Sequence, residues 1–160
     1  NITVEKLPVD LAALVKGVVT SMEAMAAGRN NSILVDKESK KAIVLGDVDR
    51  MEQIIRNLLK NAIMATENGN IRVGVGAEKD GVVLTIKDDG IGISPEDLPH
   101  IWDRFYRAKN RRDNNTQEKG SGLGLVIVKK LVQLQNGRID VESHLGKGTT
   151  ISISFPAFNS

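Results

Sequence analysis

Residues 82–93 read Val82-Val83-Leu84-Thr85-Ile86-Lys87-Asp88-Asp89-Gly90-Ile91-Gly92-Ile93, and their pattern decides the fold. Val82, Leu84 and Ile86 alternate with other residues, the period of a strand that buries one face. Just upstream, Ile71, Val73 and Val75 keep the same period. Asp80-Gly81 between the two runs supplies a tight turn, so the pair reads as a β-hairpin. Asp88 continues the inward series and aims a carboxylate at the core side, while Asp89 points the other way. A buried acceptor is costly unless satisfied, so Asp88 either caps a neighbouring backbone turn or receives a donor from a ligand. Gly90 and Gly92, which follow, allow a tight turn or the close approach of a flat ligand.

Toward the N-terminus, Asp47 caps a helix expected over about 48–66, with Met51, Ile54, Ile55, Leu58, Leu59 and Ala62 forming an apolar stripe that must lie on the sheet. Asn57 and Asn61 stack one turn apart at the edge of that stripe. Asn is a poor interior helix former because its amide competes for backbone hydrogen bonds. Two at this spacing therefore either satisfy each other or form the polar rim of a ligand pocket, with an amide oxygen available to a hard cation such as magnesium. An earlier helix, about 10–27, is capped by Asp10 and carries Leu11, Leu14, Val15, Val18, Val19, Met22 and Met25. Between the helices, Ser32–Asp36 and Ala42–Leu45 read as short strands around a polar turn at Glu38–Lys41. At the start of the chain, Thr3–Leu7 alternates weakly and ends at Pro8.

Toward the C-terminus, the hydrophobic period disappears from Asp89 to Gly122, interrupted only by Leu98–Phe105. The run Arg104–Arg112 holds five basic residues and no acidic one. Such a long irregular stretch reads as a lid or binding loop, its basic residues either solvated or balancing phosphate charge. Gly120-Ser121-Gly122-Leu123-Gly124-Leu125 then precedes a helix over Leu123–Leu134, a place where free backbone N–H groups and the positive helix end meet phosphate. A dinucleotide fingerprint fails here, because it needs Gly where Leu125 stands and a strand where the basic loop stands; no P-loop pattern occurs either. Gly137 follows the helix, and Ile139, Val141, a Gly146-Lys147-Gly148 turn, Ile151, Ile153 and Phe155 make a closing hairpin. With no repeat and no internal linker, residues 1–160 read as one α/β two-layer sandwich: a mixed, mostly antiparallel sheet of about five strands, with about three helices on one face.

Composition bounds the function. Lys and Arg number 22 against 20 Asp and Glu, a net charge of +2, too balanced for a nucleic-acid-binding face. Phe, Trp and Tyr together number five, which argues against base-stacking platforms, so no nucleic-acid partner is expected. The absence of Cys excludes disulfides, thiolate metal sites and Cys nucleophiles and suits a reducing cytoplasm. No apolar run approaches the roughly 18 residues that span a bilayer, so direct membrane contact is not expected. The chain opens Asn1-Ile2-Thr3, without Met, signal peptide or targeting segment, and reads as a piece of a longer protein.

In this order, Asn-x-x-x-Asn on a helix, DDGIGI at a strand end, IWDRFYRA, and GSGLGL before a helix resemble the catalytic ATP-binding domain of bacterial sensor histidine kinases. There they are the N, G1, F and G2 boxes of a Bergerat-type sandwich. The resemblance runs from about Asp10 to Phe155 and includes the GRIDVES and GKGTTISISFP hairpin.

The resemblance implies that Asp88 accepts the adenine amino group, while Gly92 lets a water or backbone contact reach the ring. Asn61 would hold the magnesium bridging the phosphates, with Asn57 supporting them one turn away. Arg107 would reach the γ-phosphate, so Asn61 and Arg107 are the implied catalytic pair. Gly120, Ser121, Gly122, Leu123 and Gly124 would cradle the phosphate chain, and residues 107–120 would form an ATP lid. Lys60, Gly90 and Ile93 join the implied nucleotide-binding set. Where the family often has a basic and then an aromatic residue, three and four positions after the second Asn, this chain has Met64 and Ala65, so the resemblance does not carry over one phosphate contact and one pocket side chain.

Gyrase, mismatch-repair and heat-shock ATPases of the same superfamily resemble each other in a Glu four residues before the magnesium Asn. Asn57 stands there and has no basic lone pair to activate water, which favours transfer to a protein acceptor over hydrolysis. An ATPase, or a degenerate nucleotide-sensing or docking module, is the alternative. The implied partners are a helical dimerisation and phosphoacceptor domain of the parent protein, absent from this chain, and a response regulator downstream. His100 and His144 both lack the acceptor context. The resemblance puts the domain in the cytoplasm, as part of a membrane-anchored sensor.

Overall fold

In the computed structural model the protein is described over residues 2–36, 42–79, 81–103 and 124–158. Seven strands and three helices follow in chain order: β1 (Leu7–Asp10), α1 (Leu11–Ala27), β2 (Ser32–Val35), β3 (Ile43–Gly46), α2 (Val48–Ala65), β4 (Asn70–Glu78), β5 (Gly81–Asp88), α3 (Gly124–Leu134), β6 (Arg138–His144) and β7 (Gly148–Pro156). Among the described residues between β5 and α3 lies a 3-10 turn, Leu98–His100. The expected hairpins form, β4 with β5 and β6 with β7, and β5 and β7 join them into one sheet of order β2-β4-β5-β7-β6. Only the β2–β4 pair in this sheet is parallel, so it is mixed and mostly antiparallel, as expected.

The strands flanking the first polar turn depart from the simplest reading. β2 and β3 do not pair with each other. β2 runs parallel to β4 at the sheet edge, while β3 pairs antiparallel with β1 in a separate two-stranded ribbon that touches the main sheet through a Val44–Ala157 bridge. Glu38-Ser39-Lys40-Lys41 contains none of the Gly, Asn or Pro residues that close a two-residue hairpin. β1 also runs through Pro8 instead of ending before it. Pro8 sits opposite Leu45 in a two-stranded ribbon, where a missing N–H is tolerated.

All three helices cover one face of the main sheet. α2 packs on β5 and lies between α1 and α3, which pack against β2 and β6. The core between the layers is aliphatic: Leu58, Leu59, Ile63, Ile71, Leu84, Ile86, Leu131 and Ile153 are all at most 2% exposed. The opposite sheet face carries Arg72, Lys87, Thr85, Ser152, Asp140 and Glu142, which fits the alternation of a sheet with one wet side.

Both ends of α2 are tied down. At its start, Asp47 Oδ1 accepts from the N–H groups of Asp49 and Arg50, and its Oδ2 accepts from Glu5 N at 2.8 Å. Gln135, buried at the end of α3, accepts from Asp47 N through Oε1 at 2.8 Å. α2 has no basic residue in its own last turn. Arg29 supplies the missing cation from outside, donating to the carbonyls of Ile63, Met64 and Thr66, and Asn31 Nδ2 donates to those of Ile63 and Thr66. A guanidinium at a helix C-terminus satisfies orphan carbonyls and complements the helix dipole.

Candidate nucleotide site

The C-terminal half of α2, the ends of β5 and β7, and the loop after β5 enclose a cavity of about 110 Å³. α2 contributes Leu58, Asn61, Ala62 and Ala65, spaced i, i+3, i+4 and i+7 and therefore on one helix face. β5 contributes Ile86 and Asp88, and β7 contributes Ile151 and Thr149. These are direct cross-strand partners, Ile86 with Ile151 and Asp88 with Thr149. Ile91, Gly92 and Ile93 close one side, Ile101 and Leu125 another. The result is an apolar slot into which three polar side chains converge, Asp88, Asn61 and Thr149, each from a different element. Few placed polar groups in a mostly apolar concavity is the pattern of a small-molecule site.

Asp88 is 6% exposed, and its Oδ1 accepts from Gly90 N at 2.9 Å. The capping role and a position on the cavity wall thus coexist in one carboxylate, whereas Asp89 turns outward and accepts from Asn70 N at 2.9 Å. The loop is clamped from both layers. Ile91 N donates to Ala65 O at 3.1 Å at the end of α2, and Gly146 N donates to Ile91 O at 2.7 Å from the β6–β7 turn. Ile93 N donates to Ser143 Oγ at 2.8 Å, and that hydroxyl lies 2.7 Å from Thr149 Oγ1. Gly92 adopts φ +73°, where a Cβ would overlap the carbonyl oxygen of His144.

The paired-amide reading of Asn57 and Asn61 does not hold: among the described residues no hydrogen bond joins them. Asn61 faces the cavity, but Asn57 lines a neighbouring groove between α1 and α2, with Lys60, Met22, Met25 and Arg56. The structure therefore brings together Asn61, Asp88, Gly92 and Ile93, with Gly90 bonded to Asp88, and leaves Asn57 and Lys60 to one side. Gly124 is the first residue of α3, one position before the cavity residue Leu125. Arg107, Gly120, Ser121, Gly122 and Leu123, with the whole expected lid, lie outside the described residues.

Sequence reasoning passed over Thr149, Leu125 and Ile101. Thr149 had a signal, since Asp88 and Thr149 end the inward series of two strands that the hairpin pattern makes neighbours. Ile101 had a weaker one. Ser94-Pro95-Glu96-Asp97 is a capping sequence, and Ser94 Oγ both accepts from Asp97 N and donates to Asp97 Oδ2 at 3.0 Å, which closes the turn carrying Ile101.

Among the described residues no group of three or more His, Cys, Asp or Glu side chains is arranged to hold a metal ion. Asn61 brings an amide side chain to the cavity wall.

Known proteins resemble this chain in sequence and in fold. The chain is 39% identical over 157 residues to the sensor histidine kinase YclK of Bacillus subtilis, covering 98% of this chain and 33% of that protein. It is 42% identical over 118 residues to the sensor protein SrrB of Staphylococcus aureus, covering 73% of this chain and 20% of that protein. The chain thus spans a third or less of the length of these relatives. Among solved structures, full-length ShkA in complex with AMPPNP superposes with a TM-score of 0.84 at 27% identity, over 99% of this chain and 32% of that one. The nucleotide-free catalytic domain of histidine kinase ThkA gives a TM-score of 0.80 at 27% identity, over 96% of both chains. The sequence model of the histidine kinase-, DNA gyrase B-, and HSP90-like ATPase family matches residues 46–159, the span from α2 through the closing hairpin, and the chain belongs to that family.

Proposed function

We propose that this chain is the catalytic domain of a sensor histidine kinase, which binds ATP in the Asp88 cavity and passes the γ-phosphoryl group to a histidine on a separate helical domain of the same parent protein. The observation that carries this reading is the convergence of Asp88, Asn61 and Thr149 on one apolar slot. Asp88, an acceptor at the dry end, suits the amino group of adenine, and the apolar walls from α2 and β5 suit the faces of its ring. Asn61, one turn nearer the N-terminus of α2 than Ala65, suits a magnesium ion carried in with the phosphates. That ion would supply charge compensation on the transferring group. Relatives named as sensor histidine kinases and a fold neighbour bound to AMPPNP support the same assignment.

The reaction needs no nucleophile from this chain. An acceptor imidazole nitrogen takes the γ-phosphorus and ADP leaves, so the domain's contribution is to bind, orient and exclude water. Arg107 and Gly120–Gly124 belong to this proposal as phosphate contacts, and residues 107–120 as its lid. A response regulator would receive the phosphoryl group next, and the domain would work on the cytoplasmic side of a membrane-anchored parent. Within the described residues no helix is long and apolar enough to cross a membrane.

Calorimetry tests the cavity. Loss of a charge-assisted hydrogen bond in a dry site costs about 1.5–3 kcal/mol, so Asp88→Ala should weaken magnesium-ATP binding about ten- to hundredfold while leaving a folded protein. Equal affinity in the two proteins would remove the assignment of Asp88.

A further inference from the structure

We propose that Lys129 is a positioning residue for the nucleotide cavity: lying over Trp102, it joins the turn that carries Ile101 to the helix that carries Leu125 and so sets the gap between two cavity walls. This rests on the reading of the cavity as the nucleotide site. Ile101 and Leu125 both line the cavity, and they come from segments separated by more than twenty residues of chain. Trp102 is the residue next to Ile101. Lys129 is one helical turn beyond Leu125, on the same face of α3.

The Lys129 ammonium sits 5.0 Å from the centroid of the Trp102 ring, inside the range at which a cation is held by an aromatic face. Both residues are only partly exposed, so the contact is not a fully solvated one. The turn itself closes on local bonds. Asp97 N and Leu98 N donate to Ser94 O at 3.0 Å, and Asp103 N donates to His100 O at 2.9 Å. Those bonds fix the shape of the turn but do not reach α3, whereas the Lys129–Trp102 contact does. It is a small energy applied at the edge of a slot of about 110 Å³, where a shift of one wall changes what fits.

Because Trp102 is the chain's only tryptophan, the contact reports on itself. The test compares wild type, Lys129→Met, Lys129→Arg, Lys130→Met and Trp102→Leu by tryptophan emission, where Trp102 remains, and by calorimetry with magnesium and a non-hydrolysable ATP analogue. Lys130 is exposed beside Lys129, so its substitution removes the same charge without touching the ring. Lys129→Met should shift Trp102 emission in the nucleotide-free protein and weaken nucleotide binding about two- to fivefold. Lys129→Arg should restore both, and Lys130→Met should change neither. Adding Lys129→Met to Trp102→Leu should cost no further affinity. Wild-type affinity in Lys129→Met, an equal loss in Lys130→Met, or a full additional loss in the double variant would overturn the role of Lys129. Wild-type protein that binds no nucleotide would instead remove the reading of the cavity, and the emission comparison would still decide whether the contact exists.

Discussion

Single atoms decide how closely the loop after β5 approaches its neighbours. Gly92 is held at φ +73° with the His144 carbonyl against the place where a Cβ would stand, and Gly148 at φ +106° stands in the same relation to the Asp88 carbonyl. A side chain at either position meets backbone, which cannot swing away. We expect Gly92→Ala to lower stability by about 1–3 kcal/mol from the unfavourable φ alone, read as a drop in the denaturation midpoint at unchanged m-value. Nucleotide affinity should fall with it, because the loop carries Ile91 and Ile93 into the cavity; an alanine variant of wild-type stability would show that the loop tolerates the side chain. At this scale the sequence was readable where side-chain alternation is strict. Asp88 follows Val82, Leu84 and Ile86 inward and is buried. Helical periodicity puts Asn57 beside Asn61 but cannot say which of two neighbouring depressions each amide faces; Asn61 lines the cavity and Asn57 the groove between α1 and α2.

At the scale of one element, α2 organises the molecule, since its buried face packs on β5 and its inner turns line the cavity. Its N-cap is unusual in reaching beyond its own helix. The backbone N–H of Glu5, together with those of Arg50 and Asp49 and the charge of Arg50, holds the Asp47 carboxyl below its ordinary pKa, against a smaller opposing effect of burial. A group with a lowered folded-state pKa stabilises the fold above its unfolded pKa and loses that contribution as pH falls through the folded value. Asp47→Ala should therefore cost about 1 kcal/mol at neutral pH, and the difference from wild type should begin to shrink below about pH 4 and fade as pH falls through the lowered folded-state value. Urea denaturation of both proteins across that range checks it, and a difference persisting in acid would assign the loss to something other than the carboxylate. The helices were legible from their caps and stripes to within about two residues, because those signals are local. The partners of β2 and β3 were not, since a four-residue strand carries too little pattern to choose a neighbour and the choice rests on the α2 crossover that follows.

The whole molecule sets a helical layer over a sheet so that one end of the interface opens as a slot, and this layout was legible from the order of hairpins and amphipathic helices. The shape of the slot was less so, because Ile101, Leu125 and Thr149 enter it from segments that only the tertiary fold brings together. The layout also bears on where the phosphoryl group goes. His100 lies in the 3-10 turn and His144 ends β6, so neither is presented on a helix as an acceptor. The amide of Asn57 has no basic lone pair to serve as a general base for water. The isolated chain given magnesium and radiolabelled ATP should then hydrolyse slowly and acquire no acid-labile label, yet label a histidine on a helical acceptor domain added separately. Asn61→Ala should reduce transfer and hydrolysis together, by tenfold or more if one charge-assisted contact of about 1.5–3 kcal/mol is lost. Asn57→Glu should raise hydrolysis only slightly, because residue 57 faces the α1–α2 groove and a carboxylate there would reach the cavity only from its rim. Brisk hydrolysis by the wild-type chain with no transfer to any helical histidine would move the domain to the ATPase branch of its family, and stable label on the chain itself would place the acceptor within it.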